Sequence, residues 1–126
     1  VPVEGTAMDF RTPKAIGRDA DNDEPSVKPF GGYDSNFVIS GHPVATTVGD
    51  QTGITMVTDT DQPGVQLYTA NALTDRKGKG GKEYSSRSAF CLETQHYPDS
   101  IHHPQWPSCI LRKDEAFHSF TSYTFS

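Results

Sequence analysis

Short apolar runs rich in β-branched and aromatic residues recur along the chain, separated by clusters of Gly, Pro, Asp and Asn. No stretch keeps the 3.6-residue period of an amphipathic helix, whereas several runs alternate with the two-residue period of a half-buried strand. The pattern therefore predicts an all-β fold. The predicted strands are residues 37–40, 53–59, 64–69, 89–95, 108–111 and 116–125.

Six such strands show no closing partner pattern, so they favour a β-sandwich, or part of a larger one, over a complete barrel. Two Pro-containing segments, residues 11–36 and 97–107, are predicted to be long loops. Loops of that length in a compact domain are usually functional or disordered, so they are candidate positions for a site.

One predicted strand carries a carboxylate where a buried charge would be costly. In segment 90–95, Glu93 and Gln95 share one face and lie opposite Leu92 and Thr94. Glu93 is therefore either a solvated residue or the working group of a site.

A second predicted strand repeats this division. Gln66 and Tyr68 point one way, and Val65 and Leu67 point the other. If the polar faces of the two strands meet, they form a neutral hydrogen-bonding surface with one carboxylate, which suits a polyhydroxylated ligand. The alternative is that both polar faces meet only water.

A third polar group lies in segment 31–37, where two glycines lead into an aromatic residue and Asp34. An aspartate at the start of a strand can cap a turn through its side-chain acceptor. It can also accept hydrogen bonds from the vicinal hydroxyls of a sugar. The spacing alone leaves both interpretations open.

The bulk numbers limit the function classes. The chain has 126 residues, the size of one domain, with a hydrophobic fraction of only 33%. Its net charge of -5 argues against a nucleic-acid partner, which favours a basic stripe. No apolar run approaches the roughly 18–20 residues of a membrane span, so we predict no membrane partner.

The charged clusters favour solvated loops. The basic segment 76–82 is interleaved with glycines and lacks stacking aromatics, so a solvated, flexible loop is favoured over an anion site. Asp19, Asp21 and Asp23 alternate, but the Gly and the closing Glu of an EF-hand are missing. We therefore expect a solvated acidic loop there.

Metal chemistry is not predicted. His96, His102 and His103 lie near Cys91 and Cys109 in the sequence, yet no recognised ligand spacing is present, and adjacent histidines in a Pro-rich loop usually make loop hydrogen bonds. The two cysteines fit free thiols in a reducing compartment, which predicts a cytoplasmic location, although a single disulfide stays open.

Five segments in order resemble the aldose 1-epimerase (galactose mutarotase) family. They are DFRTP at 9–13, GYDSNF at 32–37, QPGVQLYTAN at 62–71, FCLETQH at 90–96 and HPQWPS at 103–108. The resemblance runs through almost the whole chain but covers only the C-terminal third or so of the family. It implies that residues 1–126 are the C-terminal part of one large antiparallel β-sandwich domain, as a fragment, a processed chain or one piece of a split protein.

The resemblance also implies an activity, the interconversion of the α and β anomers of a free hexose such as glucose or galactose. Glu93 matches the family's catalytic base, Asp34 the acid that binds sugar hydroxyls, and Gln66 a glutamine that contacts substrate. No metal or organic cofactor is implied. The family's catalytic acid is a histidine from the N-terminal part, so that part is an expected partner, as a separate chain or segment.

The resemblance has one clear departure. The Asn-His-containing strand that supplies the acid in the family is absent from these 126 residues, and none of the chain's five histidines matches it. Two alternatives therefore stay open: a non-catalytic carbohydrate-binding β-sandwich of the same fold, and a structural β-domain in which Glu93 is only solvated.

Overall fold

A computed structural model describes all residues from Val1 to Ser126. It contains eight strands and four single-turn 3-10 helices, with no α-helix. The strands are β1 (Asp34–Val38), β2 (Ala45–Val48), β3 (Thr55–Thr60), β4 (Gly64–Tyr68), β5 (Arg76–Lys77), β6 (Glu83–Tyr84), β7 (Cys91–Gln95) and β8 (Thr121–Phe125). The 3-10 turns are Ile16–Arg18, Lys28–Phe30, Lys79–Gly81 and Ser100–His102. The predicted all-β class is confirmed.

The strands form two three-stranded sheets and one small hairpin. Sheet A has the order β1-β4-β7, sheet B has the order β2-β3-β8, and β5 pairs with β6. In sheet B both pairings are antiparallel, with Thr58 of β3 opposite Ala45 on one side and Tyr123 on the other. β8 is an edge strand with only β3 as a neighbour.

Two of the predicted strands are wrong in whole or in part. Residues 108–111 form no strand, because the Ile110 N–H donates to the nearby Ser108 hydroxyl at 3.2 Å instead of joining a ladder. Residues 116–120 lie outside β8, because β3 ends at Thr60. Beyond that point the Asp61 N–H still donates to the Phe120 carbonyl at 3.1 Å, but the Phe120 N–H donates to the Asp61 side-chain carboxylate at 2.9 Å, so the ladder stops there.

Three short strands were not predicted. β2 is only four residues long, and β5 and β6 lie at either end of the Gly-rich basic segment. That segment is exposed, as expected for a solvated loop, yet it closes as a hairpin around Gly78. A Cβ atom at Gly78 would lie 1.9 Å from Tyr84 Cε2, so the hairpin requires glycine at this position. The four remaining predicted strands are present with shifted ends.

The chain divides into two compact units. Unit 1 comprises residues 1–35 and 67–91, and unit 2 comprises residues 36–66 and 92–126. The division falls within β1, β4 and β7, so each of these strands carries the chain from one unit into the other.

Unit 1 is built around Tyr33, whose side chain is fully buried. Its hydroxyl donates to the Ala7 carbonyl at 2.9 Å, and Phe10 packs edge-on with its ring centroid 5.3 Å away. Burial raises the pKa of Tyr33 to about 12, because the interior disfavours the charged phenolate. The N–H of Tyr33 donates to the Thr69 hydroxyl at 3.0 Å, so this core residue is satisfied at both backbone and side chain.

Unit 1 also holds a nearly buried lysine. The Lys14 side chain is 2% exposed, and its ammonium contacts the Asp19 carboxylate at 2.7 Å and lies 4.2 Å from the Phe10 ring centroid. Arg18 hydrogen bonds to the same carboxylate. Arg18 and Lys14 lower the pKa of Asp19 to about 2, so this aspartate is a fixed ion-pair partner and the prediction of a wholly solvated acidic loop is wrong for it.

Unit 2 is organised by sheet B and its contact with β7. Thr58 and Thr60 are buried in β3, and the Thr60 hydroxyl lies 2.9 Å from that of Thr121. The Thr121 hydroxyl also lies 2.7 Å from that of Thr94 in β7. Hydroxyl contacts therefore join the two sheets inside this unit.

Candidate functional site

The contacts between β7 and β8 show on which face of β7 Glu93 lies. Thr94 reaches the Thr121 hydroxyl, and the Tyr123 hydroxyl donates to the Leu92 carbonyl at 2.8 Å. Because side chains alternate along a strand, Glu93 and Gln95 lie on the face of β7 opposite Thr94. Glu93 is exposed on that face.

The polar face of β4 meets the same side of β7. Val65 and Leu67 are buried, whereas Gln66 between them is half-buried. The Gln95 amide nitrogen donates to the Gln66 side-chain oxygen at 3.1 Å. The structure therefore brings Gln66 and Gln95 together on the face that carries Glu93, as the alternation of the two strands predicts.

A third amide, which sequence reasoning missed, joins this pair. The Gln95 amide nitrogen also donates to Asn36 Oδ1 at 3.3 Å, and Asn36 Nδ2 donates to the Phe37 carbonyl at 3.4 Å. Asn36 lies in the GYDSNF segment, where an amide two residues after the aspartate was the available signal. Asn36, Gln66 and Gln95 are called the amide cluster below.

Glycine makes room for the amide cluster. Gly64 opens β4, and a Cβ atom there would lie 2.6 Å from Asn36 Oδ1 and 3.0 Å from the Tyr97 ring. Such distances are shorter than ordinary van der Waals contact, so any side chain at this position would displace Asn36. Gly64, the second residue of the PG pair at the start of β4, thus has a packing role in the site.

Asp34 is the first residue of β1 and is half-buried in unit 1. The preceding Gly31 adopts the left-handed conformation that ends the 3-10 turn, with φ of 66°. Asp34 is therefore a strand residue that follows the turn.

The histidines of the Pro-rich loop are held by local contacts. His102 Nδ1 contacts Asp99, His103 Nε2 lies 3.5 Å from Asp99, and the His103 ring stacks on Trp106 at 4.0 Å. No group of three or more His, Cys, Asp or Glu side chains is arranged to hold a metal ion. Cys91 and Cys109 are both free and exposed.

Two further observations concern features outside the candidate site. A cavity of about 390 Å³ opens in unit 1 beside Lys14, Asp19 and Glu24, and neither Glu93 nor the amide cluster lines it. No helix in the chain is long and apolar enough to cross a membrane.

Comparison with known proteins places these features in a family. The family model described as aldose 1-epimerase matches residues 1–124. The galactose mutarotase of Homo sapiens is 38% identical over 130 residues, an alignment that covers 99% of this chain and 36% of that protein. The aldose 1-epimerase of Escherichia coli is 35% identical over 132 residues, covering 98% of this chain and 37% of that protein.

Solved structures agree. The crystal structure of a GalM/aldose epimerase homologue from C. elegans matches with a TM-score of 0.80 at 27% identity, covering 98% of this chain and 38% of that one. The likeness agrees with an all-β sandwich. The chain spans about 36% of the length of the human relative, and the family match spans nearly all of the chain. The chain belongs to the aldose 1-epimerase family.

Proposed function

We propose that this chain supplies the base and part of the sugar site of a protein that interconverts the α and β anomers of a free aldohexose. The observation that carries the proposal is the position of Glu93. In a chain of the aldose 1-epimerase family, this carboxylate lies on the same face of β7 as an amide that contacts Gln66.

The proposed reaction needs one proton acceptor and one proton donor. Glu93 removes the proton from the anomeric hydroxyl while an acid protonates the ring oxygen. The ring opens, the C1–C2 bond rotates, and closure delivers the other anomer. Holding the hemiacetal between the two groups makes the proton transfers efficient, because their encounter no longer depends on diffusion. These steps need no cofactor.

The sugar-binding roles follow the same family resemblance. We propose that Asp34 accepts hydrogen bonds from sugar hydroxyls and that Gln66 contacts the substrate through its side-chain amide. The substrate class is a free aldohexose, glucose or galactose, the latter named in the description of the human relative.

The acid is proposed to come from outside these residues. None of the five histidines in the chain lies in an Asn-His strand of the family type. We propose that residues 1–126 form the C-terminal part of one β-sandwich domain. The rest of that domain, in the same polypeptide or a second chain, would then provide the acidic histidine.

The test is a Glu93→Gln variant in the protein assembled with the rest of the family fold. Polarimetry of freshly dissolved α-D-galactose and α-D-glucose measures mutarotation directly. Loss of a general base typically lowers the rate about 10²–10⁴-fold, because the amide cannot accept the proton. Glu83→Gln is the matched control, since Glu83 is exposed in the β5–β6 hairpin, and it should leave the rate unchanged.

Two outcomes would contradict the proposal. If Glu93→Gln converts anomers as fast as the parent, Glu93 is not the base. If the parent binds hexose in calorimetry but does not accelerate mutarotation, the protein is a non-catalytic sugar-binding sandwich.

A further inference from the structure

The backbone of β8 has hydrogen-bonding groups that point away from β3. Thr55 and Ser126 exchange both of their backbone hydrogen bonds, at 2.8 and 3.0 Å. Opposite residues of antiparallel strands alternate between hydrogen-bonded and non-hydrogen-bonded pairs, so the adjacent pair of Met56 and Phe125 is non-hydrogen-bonded. The N–H and C=O groups of Phe125, and those of Tyr123 two residues earlier, therefore point toward the edge of sheet B where no strand pairs with β8.

This edge lacks the features that usually prevent the addition of another strand. Residues 116–126 contain no Lys, Arg, Asp, Glu or Pro. Charged side chains, prolines and very short strands are the common protection of a sheet edge. The other edge of sheet B is protected in this way, because β2 has only four residues and begins two residues after Pro43. The edge of β8 is thus the one that is open to strand addition.

Aromatic side chains stand beside this open edge. Tyr123 and Phe125 lie on the face of sheet B that contacts β7, whereas Ser122 and Thr124 lie on the opposite face. Phe125 is 64% exposed and Tyr123 is 45% exposed. A strand added to β8 would therefore bury apolar side chains beside these two rings and keep polar side chains on the face of Thr124.

We propose that the open edge of β8 pairs with an extended strand from the part of the family fold that lies outside these 126 residues. The inference rests on the proposed arrangement in which residues 1–126 are the C-terminal part of one β-sandwich domain. The chain spans about 36% of the length of the human relative, so a larger part of such a fold is available as the partner. Main-chain hydrogen bonds provide the affinity of such pairing, and the apolar alternation fixes its register.

A second copy of this chain is the competing occupant. Pairing between two five-residue strands is small for a stable interface, which buries about 1,200–2,000 Å² in total. Phe117 and Phe120, in the segment before β8, are 61% and 57% exposed and extend the apolar surface beyond the strand. A partner larger than a single β8 strand therefore fits this surface better.

Hydrogen exchange of single amides in the protein assembled with the rest of the family fold tests the pairing. The amides of Tyr123 and Phe125 should exchange within about 10-fold as slowly as those of Ser122 and Thr124, which bond to β3. If Tyr123 and Phe125 exchange at the rate of an unstructured chain while the other two stay protected, the inference is overturned. Mutarotation is measured separately, so a protected edge without mutarotation removes only the proposed activity.

Two lysine variants distinguish the faces of the strand. Phe125→Lys adds a charge on the face toward β7 and should speed exchange of the Tyr123 amide at least about 10-fold, because an inward-pointing charge blocks strand addition. Thr124→Lys adds the same charge on the exposed opposite face and should change that rate by less than about 2-fold. Equal effects would contradict the inference. Phe125→Ser is the second variant, used if Phe125→Lys also removes protection from Thr124.

Sedimentation distinguishes the two occupants. Phe125→Lys should leave the number of copies in the assembled protein unchanged, because β8 does not join two copies in the proposed arrangement. If this variant halves the mass of the assembled protein while Thr124→Lys does not, a second copy occupies the edge and the inference is overturned.

Discussion

The two units bury their apolar side chains differently. Six of the seven buried apolar residues lie in unit 1, whereas ten of the thirteen large exposed apolar residues lie in unit 2. Unit 1 has little regular structure but closes around Tyr33 and Val27. Unit 2 holds sheet B, yet the largest side chains that it buries fully are Thr58 and Thr60. Regular strands and a closed core are therefore found in different parts of this chain.

The difference shows that strand pairing and the burial of apolar side chains can be concentrated in different parts of one chain. Unit 2 contains both pairings of sheet B but leaves Phe117, Phe120 and Phe125 at 57–64% exposure. Exposed apolar side chains are normal one at a time, but several of them favour association with another surface. Side-chain contacts, and not strand content, therefore give unit 1 its more self-contained core.

The largest expected effect is a loss of stability when the core of unit 1 is disrupted. Tyr33→Ala removes a fully buried ring and its bond to the Ala7 carbonyl, and should lower the free energy of unfolding by about 3–5 kcal/mol. Phe125→Ala removes an aromatic ring that is 64% exposed and should cost less than about 1 kcal/mol. Urea unfolding followed by circular dichroism compares the two. Equal losses would show that unit 2 buries its aromatics in solution.

The next effect concerns the acid stability of unit 1. Hydrogen bonds from Arg18 and Lys14 lower the pKa of Asp19 to about 2, below its ordinary value of 3.8. A carboxyl whose pKa is depressed on folding stabilises the protein fully above its unfolded pKa, and this contribution is lost as the pH falls through the folded value. Unit 1 should therefore lose stability between about pH 4 and pH 2.

Asp19→Asn provides the control for acid unfolding. The variant should be less stable than the parent at pH 7 and should lose less stability as the pH falls from 4 to 2, because its side chain does not titrate. The NMR signals of Ala20 and Val27 report on unit 1 directly, since both residues are buried there. An unchanged pH profile would show that the ion pair contributes nothing to folding.

The smallest expected effect is a gain in stability in unit 2. Thr58 is fully buried in β3, and its hydroxyl has no hydrogen-bond partner. Thr58→Val keeps the branched shape and removes the unpaired polar group. Because an unsatisfied buried hydroxyl costs about 1–3 kcal/mol, the variant should be more stable by about 1 kcal/mol, measured as a rise in the urea midpoint. Thr58→Ser, which keeps the hydroxyl, should not reproduce the gain.

Where burial and alternation agreed, the sequence predicted the fold well. In β4 the apolar Val65 and Leu67 are buried and Gln66 is not, so period-two alternation identified both the strand and its polar face. In β7 the same rule placed Glu93 and Gln95 on one side. Both strands lie in sheet A, and the side chains on one face of the sheet have a different environment from those on the other face.

The errors have a common physical cause, which is that a strand needs a partner. Residues 116–120 alternate as regularly as β8 does, but β3 ends at Thr60, and beyond it the bonds between Asp61 and Phe120 do not continue the ladder. β2 is too short for alternation to detect, and it exists because β3 pairs with it. Long-range pairing of this kind is not encoded in a local window.

The candidate site was only partly accessible from sequence for the same reason. Glu93, Gln66 and Asp34 were predicted from alternation, turn chemistry and family resemblance. Asn36 was missed, since only the fold shows that an amide in β1 shares a donor with one in β4.

The near-complete burial of Lys14 has a chemical consequence for the whole chain. Its side chain is 2% exposed, whereas that of Lys28 is 65% exposed. An amine-reactive reagent should therefore modify Lys28 promptly and reach Lys14 only when unit 1 opens. Mass spectrometry of the labelled protein would then measure how often unit 1 opens, from the rate at which Lys14 is modified.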